Sequence, residues 1–266
     1  MLGIGRSAYG FAILGFGILS LGYVDFVHQL QPIPSFVPGY RLLALLTGAI
    51  LTASGVAIIT NARVYAVALV LAAMFTVSIV FLQIPSAFID PSLLRSPWWI
   101  RTFELLALIG GGVILAGHAH HPARPIWVRN GRVAFGLALP VFGVLHLVYP
   151  ESVAGLVPPW YPWPIFWAYF TGLAQCAGGL AIAVGVWPRL AATLAGVMYG
   201  SWALTLHIPR SLCRAFISCE FMDAPVGLQG SRAGLTSLFI AFGMSGSAWI
   251  VAGSLTKTEQ EGSRDK

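Results

Sequence analysis

The chain has 266 residues, of which 57% are hydrophobic and 9% are charged, and its net charge is +6. A soluble globular domain carries roughly 25% charged residues, so this composition excludes an ordinary water-soluble protein and predicts an integral membrane protein. The apolar runs are long and continuous, and backbone groups in lipid must pair within their own segment, so we expect an all-α fold. The basic excess is explained below as a topology signal and requires no nucleic-acid partner.

Eight apolar runs of membrane-spanning length follow one another along the chain, since a bilayer core takes about 20 residues of helix. They cover residues 8–26, 42–60, 64–83, 100–118, 133–149, 164–184, 189–207 and 232–254. The first run follows Arg6 as a signal peptide would, but it continues into Tyr23 without a small-residue cleavage site, so we expect a retained span. The charged segment 257–266 is predicted to be a disordered cytoplasmic tail.

The positive charges indicate how these spans are oriented. With a cytoplasmic N-terminus, the inner segments hold nine basic and three acidic residues, whereas the outer segments hold six of each. The whole net charge then lies on one side, which is the positive-inside pattern. We therefore expect both termini in the cytoplasm of a chain embedded in the lipid of the cytoplasmic (inner) membrane.

The second half of the sequence repeats the first. The segment GRSAYG at 5–10 matches GRVAFG at 131–136, and the offset of 126 becomes 124 after the first outer loop. Further matches are Gly17 with Gly143, Tyr23 with Tyr149, Asp25 with Glu151, Gly55 with Gly179, and Ile84-Pro85 with Ile208-Pro209. A near-constant offset indicates tandem duplication, and four spans per copy make the repeats parallel. We predict two four-helix repeats, 1–122 and 123–256, joined through a basic linker at 119–130.

Ionisable side chains within the spans are few. A charge at a helix centre costs about 2.5 kcal/mol or more, so each one is a candidate site. Glu104 lies three residues after Arg101, a spacing typical of a local ion pair that anchors a helix end. A proton-relay carboxylate is the alternative role for Glu104. Asp25 and Glu151 are expected to mark the membrane boundary.

Uncharged polar groups distinguish the two copies. His146, Gln175 and His207 lie in the spans of the second copy, and the matching positions of the first copy hold other residues. Those positions are Ser20, Leu51 and Gln83. This asymmetry predicts that any binding site belongs to the second copy.

Two cysteines lie in the predicted outer loop after His207. Cys213 and Cys219 can form a disulfide, which we favour on the oxidising side of the membrane. They can also act as a redox-active dithiol, although the usual CxxC spacing is absent. A metal site of both thiols with His207 lacks a short-spacing motif, so no metal site is predicted.

A segment of the second copy resembles a known family. GLAQCAGGLAIAVGVWPRLAA at 172–192, followed by HIPR at 207–210, is similar to the second and third helices of DoxX-like membrane proteins. The resemblance implies a four-helix domain, here present twice, and an association with quinone-linked redox systems. Members of this family often carry an acid in the second helix. Gln175 replaces it here, so chemistry that depends on an acid at that position is not expected.

Three functions are compatible with these residues. The first is an accessory subunit of a respiratory or redox system that binds quinone or a lipid-like molecule near His146, Gln175, His207 and Glu104. The second is an oxidoreductase that passes electrons from a sulfur compound or thiol partner to quinone through Cys213 and Cys219. The third is a small-molecule transporter. Walker, GxGxxG, HExxH and GxSxG motifs are absent, which argues against nucleotide-driven transport and ordinary hydrolysis.

Overall fold

A computed structural model describes residues 1–90, 99–157, 160–215 and 231–255, and in these ranges the protein consists of helices and the connections between them. The helices are α1 (Leu2–Tyr23), α2 (Tyr40–Ile59), α3 (Val64–Ser78), α4 (Ile84–Ile89), α5 (Ile100–Ala119), α6 (Pro125–Val148), α7 (Pro150–Ala154), α8 (Pro164–Val184), α9 (Pro188–Trp202), α10 (Ile208–Ala215) and α11 (Ser231–Ser254). Two π segments, Ile79–Gln83 and Ala203–His207, join α3 to α4 and α9 to α10. These ranges contain no strand, so the predicted all-α fold class is confirmed.

Among the described residues, seven helices are long and apolar enough to cross a membrane, which makes this an integral membrane protein. They are Leu2–Tyr23, Tyr40–Ile59, Val64–Ile89, Ile100–Ala119, Pro125–Val148, Pro164–Val184 and Arg232–Ser254, and each overlaps one predicted span. The remaining predicted span, 189–207, falls on the continuous helix formed by α9, the second π segment and α10. That helix is present, but α9 is less apolar than α3. The count of eight spans therefore stays a prediction.

The connection between the two halves is shorter than expected. The sequence predicted a linker at 119–130, but α5 ends at Ala119 and α6 begins at Pro125. A proline at the first helical position needs no N–H partner and has a backbone angle suited to a helix, so residues 125–130 extend α6. Only residues 120–124 lie between the helices.

The long helices pack in a closed sequence of neighbours. Each packs beside the next in chain order, and α11 packs beside α1. The first helix of each half thus contacts the last helix of the other half, α1 with α11 and α6 with α5. A Cβ atom built on Gly246 would lie 2.9 Å from the Gly5 carbonyl oxygen, and one built on Gly110 would lie 2.6 Å from the Gly131 carbonyl oxygen. Such backbone approach holds helices together in lipid, where the hydrophobic effect does not.

The connection after α1 folds back into the first half of the protein. Phe26, Val27 and Leu30 are at most 2% exposed. The Leu30 backbone carbonyl accepts a hydrogen bond from the Ser78 hydroxyl, and the Gln83 amide nitrogen lies 3.5 Å from the same carbonyl oxygen. In this segment, residues 26–31, four residues are buried and His28 is exposed. The sequence-based prediction lacks the segment because so short a stretch shows no helical periodicity.

Candidate functional site

The two π segments occur at matching places in the two halves. Each is followed by an Ile-Pro pair, and the prolines, Pro85 and Pro209, have no backbone N–H with which to continue the regular ladder of an α-helix. The segments end at Gln83 and His207, the residues that precede those pairs. Local π geometry at a helix is frequently found at functional sites. The sequence singled out both residues, but not the change of helical geometry.

Close contact between α6 and α8 sets the position of the second-half polar residues. A Cβ atom on Gly172 would lie 2.8 Å from the Cβ atom of His146 and 3.0 Å from the Gly143 carbonyl oxygen. The two backbones therefore touch at this level. Gln175 lies three residues after Gly172, and His146 lies three residues after Gly143, so the two side chains meet directly beside the contact.

A line of hydrogen bonds runs from α9 to α6. The Tyr199 hydroxyl donates to Gln175 Oε1 over 2.8 Å, and both residues are buried. The Gln175 amide nitrogen lies 3.4 Å from His146 Nε2, a long contact. His146 Nδ1 lies 2.8 Å from the Phe142 carbonyl oxygen, which can only accept. Nδ1 therefore carries the proton, and Nε2 of the neutral ring is an acceptor.

Trp202 completes the group with its indole ring. It stacks on His146 with ring centroids 5.7 Å apart and planes 13° apart, and it meets Tyr199 edge to face at 5.5 Å. We call His146, Gln175, Tyr199 and Trp202 the polar cluster. The cluster combines hydrogen-bonding groups with flat aromatic faces on α6, α8 and α9.

Glu104 approaches this cluster from the first half of the chain. Its Oε2 atom is buried and has no hydrogen-bond partner among the residues that the structure describes. The predicted ion pair with Arg101 is not found among the salt bridges of the described residues, which join Asp25 to Arg232 and His28. Arg101 and Glu104 nevertheless interact electrostatically, and Glu104 also interacts electrostatically with Tyr199.

His207 does not join the polar cluster directly. It is partly buried at the end of the second π segment, where Arg210 lies close enough for the two charges to interact. Within the described ranges, no hydrogen bond links it to His146 or Gln175. The structure therefore brings together His146, Gln175 and the neighbourhood of Glu104, and places His207 one helical turn beyond Trp202.

The matching region of the first half is filled differently. Leu51 and Phe75 are buried where the second half has Gln175 and Tyr199. Gln83 is buried too, but it accepts a hydrogen bond from Thr102 over 2.7 Å and faces the carbonyls of the segment 26–31. In the first half, Gln83 is therefore paired with Thr102 and with the connection after α1, which belong to the same half.

The candidate redox cysteines fall largely beyond what the structure describes. Cys213 lies on α10, but its side chain and the whole of Cys219 are outside the described residues. Cys176 is free, and its thiol approaches the Pro140 carbonyl oxygen at 3.6 Å. No group of three or more His, Cys, Asp or Glu among the described residues could hold a metal ion.

A second polar contact joins the two halves at one end of the bundle. Arg232, at the start of α11, donates to the Asp25 carboxylate over 2.5 Å and also to the Phe26 carbonyl. Burial alone would raise the pKa of Asp25, but the hydrogen bonds from Arg232 and Tyr40 outweigh it and hold the pKa below its ordinary 3.8. The side chain of Asp25 is therefore an ionised anchor for α11.

Sequence reasoning missed three of these contributors. Tyr199 and Trp202 were overlooked because aromatic residues are common in apolar helices. A buried tyrosine hydroxyl nevertheless needs a hydrogen-bond partner. Tyr199 and Trp202 also differ from the matching residues of the first half, Phe75 and Ser78, and this difference was a usable signal. Arg232 gave no local signal, since Asp25 is 207 residues away.

In a comparison with known protein families, one family model matches part of the second half of the chain. The DoxX family model matches residues 129–208, consistent with a DoxX-like membrane protein. The matched range contains the whole polar cluster and His207, whereas Glu104 lies outside it. No curated protein and no solved structure matches the chain. The resemblance read from residues 172–192 and 207–210 is therefore confirmed.

Proposed function

We propose that this chain, an integral membrane protein whose residues 129–208 match the DoxX family, binds a lipid-soluble molecule with a flat polar headgroup, such as a quinone, at the polar cluster. In this role it serves as an accessory subunit of a respiratory or redox system of the inner membrane. His207 and Glu104 border the same site. The ligand enters from the surrounding lipid.

One observation carries this proposal: buried hydrogen-bonding groups and aromatic faces converge within apolar helices. Polar side chains in a membrane interior are costly and are commonly retained for function. Gln175 is 1% exposed, yet its amide meets His146 Nε2 only at 3.4 Å. That long contact leaves the imidazole nitrogen available to a ligand, while Trp202 supplies a face for stacking.

The asymmetry between the halves supports the same location. The first half replaces Gln175 and Tyr199 by the apolar Leu51 and Phe75 and satisfies Gln83 internally. A residue needed only for folding would be expected in both halves if they are repeats. We therefore assign binding to the second half and scaffolding to the first.

The arrangement of the whole chain is also part of the proposal. We infer two parallel four-helix repeats, 1–122 and 123–256, that make eight spans with both termini in the cytoplasm. The Gly5 to Gly246 and Gly131 to Gly110 contacts support the repeats, because Gly5 and Gly131 are matching residues and each approaches a glycine on the last helix of the other half. The eighth span is supported by α9 and α10, which run antiparallel to the spanning helix α11: Gly196 approaches Trp249, and Ser211 approaches Gly234.

Binding of a short-chain quinone to the purified protein in lipid nanodiscs tests the function. We expect saturable binding that Gln175→Leu, which installs the first-half residue, weakens by about tenfold or more, since one lost hydrogen bond in a buried site has that effect. Leu51→Gln is the matched control at the equivalent position and should leave binding unchanged. Equal binding by Gln175→Leu and the unaltered protein would contradict the proposal.

An oxidoreductase that uses Cys213 and Cys219 is the second candidate. It is favoured by α10, which continues from His207 towards Cys213 without a break in the helix. The thiol state with and without reductant, together with Cys213→Ser, decides this case. An inert disulfide and an unchanged redox phenotype would eliminate it. For transport, the described spans contain one acid, Glu104, which offers no set of carboxylates for ion coupling.

A further inference from the structure

We propose that Arg132, beside the turn between α8 and α9, binds the phosphate group of an anionic phospholipid. This site is separate from the polar cluster and does not depend on the ligand proposed there. Arg132 and His146 both lie on α6, but Arg132 is in its first half and His146 is in its last turn. About 20 Å of helix separates them, so the two sites lie at different depths in the membrane.

Matching arginines of the two halves face matching turns. Arg6 in GRSAYG corresponds to Arg132 in GRVAFG. Arg6 Nη1 donates a hydrogen bond to Asn61 Oδ1, in the turn between α2 and α3. The residue that matches Asn61 in the second half is Gly185, in the turn between α8 and α9. The backbone angle φ is 61° at Asn61 and 86° at Gly185, so a left-handed residue occupies the same place in both turns.

Arg132 lies beside the position of that partner but lacks the partner itself. A Cβ atom built on Gly185 would lie 3.6 Å from Arg132 Nη2 and 3.8 Å from Arg132 Nη1. Gly185 has no side chain, so it cannot provide the acceptor that Asn61 provides in the first half. Arg132 Nε is buried without a hydrogen-bond partner, and no ion pair of this guanidinium is found among the described residues. The side chain as a whole is only partly buried, so another molecule can reach its donors.

The charges at this end of the bundle favour an anion. It is the end at which α1 begins and α11 ends, since a Cβ atom built on Gly253 would overlap the Leu2 backbone. The described segments at this end contain six arginines and no aspartate or glutamate; they are residues 1–8, 59–65, 117–132 and 184–190. Arginine binds phosphate oxygens through paired N–H donors. An anionic headgroup is therefore favoured over a zwitterionic one, whose ammonium group would approach the same arginines.

The surroundings of Arg132 favour a lipid as the source of the phosphate. Arg132 directly precedes the predicted span 133–149, and Gly185 directly follows the predicted span 164–184. Trp187, in the same turn as Gly185, is 65% exposed. Exposed indole rings at helix ends are typical of the headgroup level of a membrane, and long basic side chains at helix ends reach towards that level. Arg132 therefore lies at the depth at which lipid phosphates are found.

Native mass spectrometry of the full-length protein in detergent tests this proposal, with phosphatidylglycerol and phosphatidylcholine of the same acyl chains as probes. We expect phosphatidylglycerol to bind more tightly than phosphatidylcholine. Arg132→Gln should weaken phosphatidylglycerol binding by about tenfold, since the loss of a hydrogen bond to a charged group has an effect of that size. Arg6→Gln is the matched control, because it removes the same charge at the matching residue, and it should leave the affinity nearly unchanged.

Gly185→Asn tests the geometry without removing a charge. Asparagine tolerates the left-handed conformation, and its amide oxygen can accept from Arg132 as Asn61 accepts from Arg6. We expect phosphatidylglycerol binding to fall by about tenfold. Gly185→Ala is the control, since it adds the Cβ atom without an acceptor, and it should retain the affinity of the unaltered protein.

Four outcomes would overturn the proposal. Equal losses in Arg132→Gln and Arg6→Gln would show a diffuse attraction between charges in place of a site. Unchanged binding in Gly185→Asn would contradict the assigned geometry. Equal affinity for the two lipids would exclude an anionic headgroup as the preferred ligand. Displacement of phosphatidylglycerol by inorganic phosphate at the same concentration would identify free phosphate as the ligand. Since neither lipid carries a quinone-like ring, each of these outcomes leaves the proposed function standing.

Discussion

Single side chains account for the difference between the two halves. Where the first half packs Leu51 and Phe75, the second half places Gln175 and Tyr199, joined by a hydrogen bond of 2.8 Å. Hydrogen bonds between buried groups add little net stability, but breaking one leaves its partner unsatisfied. The second half is therefore sensitive to single polar deletions at positions where the first half is not.

Removal of the Tyr199 hydroxyl tests this sensitivity. Tyr199→Phe leaves Gln175 Oε1 buried without its donor, so we expect a loss of about 1–3 kcal/mol in the free energy of unfolding. Reversible denaturation in detergent measures it. Tyr65→Phe is the control, because the Tyr65 ring stacks on Trp127 and no hydrogen bond of its hydroxyl is found within the described ranges. A loss of equal size in both variants would contradict this account.

The ion pair between Asp25 and Arg232 predicts a pH dependence. The folded-state pKa of Asp25 lies below its ordinary 3.8, so its stabilising contribution is present above that value. It is lost as pH falls through the lower, folded-state pKa. We expect the stability of the unaltered protein to drop between about pH 5 and about pH 2, and the drop to be smaller in Asp25→Asn.

Thermal unfolding as a function of pH provides this measurement. Glu151→Gln is the control at the matching position of the second half, where the carboxylate side chain is exposed on α7. An Asp25→Asn profile parallel to that of the unaltered protein would rule out the ion pair as the cause.

Glycines determine how pairs of helices pack. Gly143 and Gly172 bring α6 and α8 into backbone contact, and Gly17 and Gly48 occupy the corresponding places on α1 and α2. Close approach of this kind replaces the hydrophobic driving force that is missing in lipid. The same contact holds His146 beside Gln175, so helix packing and site geometry depend on one another.

A methyl group at this contact should separate the helices. In Gly172→Ala the new Cβ atom would lie 2.8 Å from His146 Cβ, and we expect a loss of about 1–3 kcal/mol in unfolding free energy and weaker ligand binding. Gly178→Ala on the same helix meets nothing within 4 Å and should be neutral or stabilising by up to about 1 kcal/mol. Stability and quinone affinity are measured on both variants. Their difference separates the effect of the lost helix contact from the effect of alanine on helix propensity. Equal behaviour of the two would contradict the packing argument.

The helix formed by α9 and α10 tests the predicted topology. We expect reporter fusions after Val186 and after Lys266 to lie in the cytoplasm and a fusion after Ala224 to lie outside, because α9 and α10 run alongside the spanning helix α11. Paired alkaline phosphatase and fluorescent-protein fusions distinguish the two compartments. A fusion after Ala224 that lies in the cytoplasm, with the fusion after Lys266 outside, would remove the eighth span.

At the scale of the whole molecule, the first helix of each half packs on the last helix of the other. Separate fragments 1–122 and 123–266 should therefore depend on each other: we expect them to copurify when coexpressed and to be unstable when expressed alone. Affinity purification through a tag on one fragment measures the association. Gly131→Leu, which places a side chain 2.5 Å from the Gly110 carbonyl, should abolish it. Fragments that fold separately and do not associate would contradict this dependence.

Sequence patterns predict the helices better than they predict how the helices pack against one another. The spans follow from apolar length, and the DoxX resemblance and the residues His146 and Gln175 follow from comparing the halves. Tyr199, Trp202 and the orientation of Glu104 do not, because which faces of α5, α8 and α9 meet depends on packing between distant segments. The buried connection at 26–31 is hidden for the same reason, since its burial is determined by Ser78 and Gln83.

Because α11 packs beside α1, the two ends of the chain join neighbouring helices in the same way as the connection between the halves. The chain is open between α11, the last helix of the second half, and α1, the first helix of the first half, although these two helices pack together. Residues 120–124 likewise lie between α5, the last helix of the first half, and α6, the first helix of the second half. Either break interrupts the same kind of contact. A circularly permuted chain, with the old termini linked and new termini opened within residues 120–124, therefore keeps every helix beside its present neighbours.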